Sequence, residues 1–253
     1  MKNLYVGDVG NGSPLVLVHG FLGSSNMWKP QINFFKKYFR VITPDIPGFG
    51  KSNKVKALNS IQSIANFLLD CLEERKIHKF NLVGHSMGGM IVQEMAKKRA
   101  DRILKLVCYS TGSIGEMPGR FETIEQSRKN FKEVGLESTI KNIVKTWFTK
   151  GEKAKYFNLC IKSGKQTSIE AIDNTLTAFK KWNEENSLKK IKNSTLIIWG
   201  DKDRSYNKKQ ILKLKKNIKY SKLVIFKQCA HNVHLEEVNK FNNIIYDFLL
   251  KAH

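Results

Sequence analysis

The stretch NLVGHSMGGM, residues 81–90, places Ser86 between two glycines where an apolar run stops. The run before the serine, FNLVGH, is typical of a buried parallel strand. The run after it, MGGMIVQEMAKKR, carries Met90, Ile91 and Met95 at the spacing of one helix face. We therefore predict a sharp strand-to-helix turn at Ser86, whose small neighbours let the strand and helix approach closely while the hydroxyl projects outward.

The rest of the chain alternates apolar runs with helical patterns, which indicates an α/β fold whose mostly parallel central sheet is flanked by helices. The predicted strands cover residues 4–9, 15–19, 40–45, 80–85, 103–110, 195–200 and 222–227. The main predicted helices outside the middle of the chain cover residues 61–75, with Ser60 as the cap, 87–99, 207–217 and 236–251.

The alternation stops between residues 112 and 187, where the pattern is helical throughout. We therefore divide the chain into an α/β core, residues 1–111 and 188–253, and a helical cap, residues 112–187. Ligands of open α/β sheets bind outside the carboxyl ends of the strands, so we interpret the cap as a lid over that edge.

The net charge of the chain, +22, is the one value in its composition that is unusual for a globular protein. Only seven of the 44 basic residues are arginine, and the lysines form scattered pairs such as Lys36 and Lys37. Nucleic-acid recognition favours clustered arginines with interleaved aromatics, so we predict no nucleic-acid partner. We interpret the lysines mainly as solvated surface, although a positive field could attract anionic substrates.

The expected cellular location and partners of the protein are inferred from three sequence patterns that are not found. No apolar run approaches the roughly 18–20 residues of a membrane span, and no apolar signal segment follows the first lysine. The four cysteines are widely spaced without a CxxC pair, so we expect reduced thiols, no metal site and a cytoplasmic location without a membrane partner. The sequence does not indicate an oligomeric state.

A serine hydroxyl is a weak nucleophile and needs a base, which in turn needs a group that fixes its tautomer. Among the six histidines, His231 lies between the last strand and the last helix, at the sheet edge where Ser86 is expected. His234 is its local rival. For the acid, Asp201 and Asp203 both follow a buried strand, and we favour Asp203 because it lies further beyond the strand end.

The developing oxyanion of such a reaction also needs hydrogen-bond donors. The loop HGFLGSS follows a buried strand and offers the backbone N–H of Phe21, and the residue after the serine offers the N–H of Met87. The order Ser86, Asp203, His231 fits acyl chemistry that requires neither a metal nor an organic cofactor.

With these residues in place, the chain resembles the α/β-hydrolase superfamily through HGFLGSSNMW, DIPGFGKS, GHSMGGM, WGDKD and CAHNVHLEE. The most similar members are capped: carboxylesterases, 3-oxoadipate enol-lactonases, meta-cleavage product hydrolases and the menaquinone-pathway synthase. The resemblance implies a lid inserted after the sixth core strand, with Asp203 of G-x-x-D as acid and His231 of H-x-x-H-L-E as base. Ala230 replaces the glycine that usually precedes this histidine.

The resulting hypothesis is a serine hydrolase that cleaves a small carboxylic ester, thioester or lactone through an acyl-enzyme. The same residues suit two alternatives within catalysis, carbon–carbon hydrolysis of the meta-cleavage type and the menaquinone-pathway type of synthesis. A third alternative is a non-catalytic ligand receptor on the same fold.

Substrate choice is expected to depend on the lid. Arg120 is a candidate to bind a substrate carboxylate with its planar fork, and the alternative is a surface arginine. Trp147, Phe148 and Trp182 are candidates to line an acyl pocket, and the alternative is lid core. The expected ligand is thus a small acyl substrate that can carry negative charge.

Overall fold

The computed structural model describes residues 4–116 and 119–250. In this part of the chain it contains a seven-stranded sheet in the order β1-β3-β2-β4-β5-β6-β7. The strands are β1 Val6–Val9, β2 Pro14–Val18, β3 Arg40–Pro44, β4 Phe80–His85, β5 Ile103–Tyr109, β6 Thr195–Gly200 and β7 Ser221–Phe226. Only β1 runs antiparallel to its neighbour among these strands. The predicted α/β class and mostly parallel sheet are confirmed.

Helices cover both faces of this sheet. They are α1 Lys29–Phe35, α2 Ile61–Glu74, α3 Met87–Lys98, α4 Ile124–Glu133, α5 Leu136–Lys145, α6 Phe157–Lys165, α7 Ile169–Lys181, α8 Lys208–Asn217, α9 Val233–Glu236 and α10 Val238–Leu250. Buried residues of α2, α3 and α8 pack on one face, and those of α1 and α10 pack on the other. Along β2, Val16 and Val18 face the first layer while Leu15 and Leu17 face the second, as strand alternation requires.

The ends of the helices follow local sequence signals. Ser60 caps α2 by accepting a hydrogen bond from the N–H of Ser63, as predicted. The predicted final helix is interrupted, because the short α9 ends before α10 begins at Val238. Its predicted last residue, Lys251, and the tail residue His253 lie outside the described residues.

The segment between β5 and β6 contains α4 to α7 in its described part. It follows the fifth strand of the described chain, so the expected position after the sixth strand is wrong. The expected number was too high because a single antiparallel strand, β1, precedes the parallel strands in the described residues. Apolar residues of this insertion join the core layer that also contains Phe21 and Phe49, so its helices pack directly onto the sheet edge.

The order of strands brings two loops together at this edge. Strands β3 and β4 lie on opposite sides of β2 in the sheet. The chain therefore leaves β2 toward one end of the sheet and leaves β4 toward the other, which makes a switch point between these two adjacent strands. Open α/β sheets form their ligand crevices at such a point. In the described residues, no helix has the length and apolar character needed to cross a membrane. All four cysteines are free and buried.

Candidate active site

Ser86 occupies the strained corner between β4 and α3. Its backbone has φ 55° and ψ −115°, a conformation that costs a non-glycine residue free energy and that recurs at functional sites. Its N–H bonds to the carbonyl of Tyr109 at 3.0 Å, which fixes the turn to β5. A Cβ on Gly84 would collide with the carbonyl of Gly88, so the close crossing of strand and helix requires glycine. The predicted strand-to-helix turn is present.

His231 and Asp203 meet at the same edge. Nδ1 of His231 lies 3.0 Å from Oδ2 of Asp203, and the two side chains are 4 % and 0 % exposed. The second carboxylate oxygen accepts hydrogen bonds from the N–H groups of Ser205 at 2.7 Å and Tyr206 at 3.2 Å. With its other oxygen fixed in this way, the carboxylate favours the tautomer in which Nδ1 carries the proton and Nε2 is free to act as a base.

The rival candidates lie elsewhere. Asp201 accepts a hydrogen bond from the N–H of Gln228 at 2.7 Å and so stabilises the turn. His234 is buried beneath the loop, where its Nδ1 lies 3.0 Å from the Tyr109 hydroxyl. Burial and the nearby His231 lower the pKa of His234 to about 3, so it remains neutral.

The loop that carries His231 is held from below and from the insertion. The hydroxyl of Tyr109 donates to the carbonyl of His231 at 2.7 Å. The N–H of Asn232 donates to the carbonyl of Trp147 at 3.0 Å, and the rings of Trp147 and His231 lie 6.1 Å apart. Glu236 accepts hydrogen bonds from Ala230 N–H at 2.6 Å and, from the insertion, from Thr149. The orientation of the imidazole therefore depends on the insertion as well as on the core.

The loop after β2 lies against the serine. A Cβ built on Gly20 would come within 3.0 Å of the Cβ of Ser86. His19 shapes this loop, because its Nε2 accepts from Ile46 N–H at 3.0 Å while its Nδ1 lies 2.8 Å from the Gly20 carbonyl. Burial lowers the pKa of His19, which favours the neutral ring that this pair of contacts requires.

Both predicted oxyanion donors adjoin Ser86. Phe21 follows Gly20 in the loop and its side chain lines the cavity above the serine. Met87 is the first residue of α3, where N–H groups have no partner within the helix. The amino end of α3 also carries a partial positive charge that favours an anion.

A small cavity of about 30 Å³ connects these elements. Its polar lining residues are Ser86, Arg120, Ser205, Tyr206 and His231. Its apolar lining residues are Phe21, Phe121, Ile143, Trp147 and Phe179. The candidate substrate contacts Arg120 and Trp147 therefore lie in one cavity with Ser86 and His231.

Two of the aromatic candidates do not reach this cavity. Phe148 lines a separate groove behind the His231 loop. Trp182 donates its indole N–H to Glu94 of α3 at 2.8 Å, so it fixes the end of the insertion to the core. Both side chains are buried in the core cluster, as the alternative of lid core predicts. Of the neighbours Trp147 and Phe148, Trp147 lines the cavity that contains Ser86.

Tyr206 is a cavity residue that lies against the candidate base and that the sequence did not indicate. Its ring stacks on His231 with centroids 5.8 Å apart and planes 9° apart, and it is 2 % exposed. Its position three residues beyond Asp203, in a loop without periodicity, gave no signal.

The model of the alpha/beta hydrolase fold family matches residues 13–238. The chain belongs to the α/β-hydrolase family.

Relatives of this α/β-hydrolase include enzymes with different named substrates. It is 25% identical over 251 residues to the (E)-2-((N-methylformamido)methylene)succinate hydrolase of Acinetobacter baylyi, covering 96% of this chain and 92% of that one. It is 27% identical over 251 residues to the pimeloyl-[acyl-carrier protein] methyl ester esterase of Legionella pneumophila, covering 98% and 99%. The enol-lactonase of Burkholderia xenovorans superposes with a TM-score of 0.90 at 23% identity, covering 98% and 96%, and shows the shared fold.

Proposed function

We propose that this α/β-hydrolase is a serine hydrolase that cleaves small carboxylic esters, thioesters or lactones. The observation that carries the proposal is the single cavity lined by Ser86 and His231, with Asp203 hydrogen-bonded to the far side of the imidazole. A strained serine, a buried imidazole and a buried carboxylate in this order have the chemistry needed for acyl transfer.

The proposed reaction has two stages. Ser86 attacks the carbonyl carbon while His231 takes its proton, and the N–H groups of Phe21 and Met87 stabilise the oxyanion. His231 then protonates the leaving oxygen or sulfur, which leaves an acyl-enzyme. Water activated by His231 releases the acid and restores the hydroxyl of Ser86. Asp203 orients the imidazole throughout.

In this proposal residues 112–187 act as the lid and select the substrate. Arg120 binds a carboxylate on the substrate, and Trp147 forms part of the wall around the acyl chain. The names of the two relatives support this choice, since one is an ester hydrolase and the other acts on a succinate derivative. We propose that the reaction takes place in the cytoplasm on a small-molecule substrate.

Replacement of the nucleophile tests the proposal. Ser86→Ala should lower turnover of an aryl acetate by about 10³-fold or more, because the attacking oxygen is lost. Ser138→Ala, on the exposed side of α5, is the matched control and should keep the wild-type rate. Labelling with a fluorophosphonate should modify the wild-type protein and the control at Ser86, and leave Ser86→Ala unlabelled.

The outcomes of this experiment separate the alternatives. An unlabelled wild-type protein without esterase activity would favour the ligand receptor. A panel of aryl esters, enol-lactones and ring-fission diketones identifies the reaction class, because only turnover of the diketones reports carbon–carbon cleavage.

A further inference from the structure

Tyr206 is fixed beside the reacting groups by contacts on every side. Its N–H donates to Asp203 and its carbonyl accepts the indole N–H of Trp199 at 2.9 Å. Its ring lies parallel to that of His231. Because both its backbone and its ring are held, the phenol cannot turn away from the cavity without breaking contacts of the candidate acid and base.

Tyr206 lines the same cavity as Ser86 and Arg120. Burial raises the pKa of Tyr206 to about 12, while hydrogen bonding with Ser86 and Thr111 and the charge of Arg120 oppose that rise. The phenol therefore keeps its proton at neutral pH and can donate it in a hydrogen bond to an acceptor in the cavity.

Arg120 has a donor without an acceptor. Its Nη1 is buried and has no hydrogen-bond partner in the described residues. The guanidinium lies over the rings of Phe121 at 5.3 Å and Phe179 at 6.0 Å, and burial lowers its pKa. A buried charged donor that lacks an acceptor is costly, whereas a bound carboxylate would satisfy it.

We propose that Arg120 and Tyr206 together form a carboxylate subsite that selects acyl groups derived from short dicarboxylic acids. This inference rests on the proposed serine hydrolase. Both residues share with Ser86 a cavity of only about 30 Å³. A carboxylate bound to Arg120 and Tyr206 and a carbonyl attacked by Ser86 must therefore lie close together in one short acyl group. Half-esters, thioesters and lactones of short diacids such as succinate carry a carboxylate and a reactive carbonyl in one such group, while monoacid esters leave Arg120 without an acceptor.

Paired substrates of equal chain length test the subsite. The measured quantity is the ratio of kcat/KM for monoethyl succinate to kcat/KM for ethyl butyrate. The wild-type ratio should be about tenfold or more, because the charged pair is made only with the first substrate. Arg120→Gln should reduce the ratio by about tenfold and Tyr206→Phe by about threefold to tenfold.

Two control variants make the same substitutions at an arginine and a tyrosine that lie outside the cavity. Arg128→Gln removes a lid arginine that bonds to Asp173, and Tyr156→Phe removes a tyrosine hydroxyl that lines a different groove. Both should keep the wild-type ratio. A wild-type ratio near one, or equal losses on both substrates in Arg120→Gln and Tyr206→Phe, would overturn the subsite.

A binding measurement distinguishes failure of the subsite from failure of the proposed function. Succinate should protect Ser86 from the fluorophosphonate at concentrations about tenfold lower than butyrate. Labelling that succinate and butyrate block equally would reject the subsite and retain the serine hydrolase. Absence of labelling in the wild-type protein would reject the proposed function itself. This measurement needs no variant and therefore does not depend on the folding of Arg120→Gln.

Discussion

At the scale of single residues, two aspartates two positions apart have different partners. Asp203 contacts His231, whereas Asp201 holds the N–H of Gln228. We expect Asp203→Asn to lower kcat by about 10³- to 10⁴-fold, because an amide can donate to Nδ1 and stabilise the wrong tautomer of the imidazole. Asp201→Asn is the matched control. Steady-state kinetics on one ester compare the two variants.

The same comparison of rates can also contradict the role of Asp203. Equal losses in both variants, or a larger loss in Asp201→Asn, would contradict the assignment of Asp203 as the acid that orients His231. Thermal unfolding of both variants shows whether a loss of rate comes from a loss of folded protein. Asp201→Asn should lower the free energy of unfolding by about 1 kcal/mol at most, since the amide oxygen can still accept from the N–H of Gln228 and only the charge is lost.

The sequence could predict residues that belong to a motif or follow a buried strand. Ser86 lies between a strand and a helix, and Asp203 follows the apolar run of β6, so each had a local signal. Arg120 was predicted only as a lid residue that could bind a carboxylate, and its meeting with Tyr206 was not predicted, because the two meet only through the folding of a loop onto a distant insertion. A contact between residues far apart in sequence leaves no periodic pattern along the chain.

At the scale of elements, Glu236 joins the His231 loop to the insertion. One carboxylate oxygen accepts from Ala230 N–H at 2.6 Å. The other accepts from the N–H and the hydroxyl of Thr149 at 2.7 Å and 2.6 Å. Three donors from two elements therefore depend on one side chain, and the residue before His231 is among them.

We expect Glu236→Gln to lower kcat by about tenfold with a smaller change in KM, because an amide has a single acceptor oxygen and must release one of the two elements. Glu236 is a positioning residue, so the separation of kcat from KM distinguishes it from a residue that only stabilises the fold. Glu237→Gln, at the exposed neighbouring position, is the control. A variant with normal kcat but a lower midpoint of thermal unfolding would contradict the positioning role.

The elements themselves were mostly predictable because their residues repeat with the period of a strand or a helix. The runs of β4, β6 and α2 gave bounds within about two residues of those observed, which is usual for such ends. Helix α1 was not predicted, since it spans only seven residues and begins next to Pro30. The apolar runs alone gave five strands before the insertion, as observed in the described residues, whereas the family resemblance placed the insertion after a sixth.

At the scale of the whole molecule, several histidines are buried in a chain that already carries a net charge of +22. His85 stacks on Tyr109 with centroids 4.6 Å apart, and burial lowers its pKa well below the usual value. His234 titrates at about 3 for the same reason. Burial also lowers the pKa of His19. Folding thus keeps these rings neutral, whereas the unfolded chain exposes them to protonation.

The stability of the protein should therefore fall in mild acid. An unfolded histidine has a pKa of about 6.5, so below that value the unfolded chain binds more protons than the folded one. Above pH 7 both states are neutral at these positions and the free energy of unfolding is flat. At pH 5.5 the loss is on the order of 1 kcal/mol for each histidine whose pKa is lowered well below that pH.

Urea unfolding at pH 7.5 and pH 5.5 measures this loss, in a range above that in which most carboxylates titrate. His234→Gln should lower the stability at pH 7.5, yet reduce the difference between the two pH values by about 1 kcal/mol, since one proton-binding site leaves the unfolded chain. Equal free energies at both pH values in the wild-type protein would mean that the buried rings bind protons as readily as the unfolded chain does, which the packing of His85 and His234 beneath the His231 loop opposes.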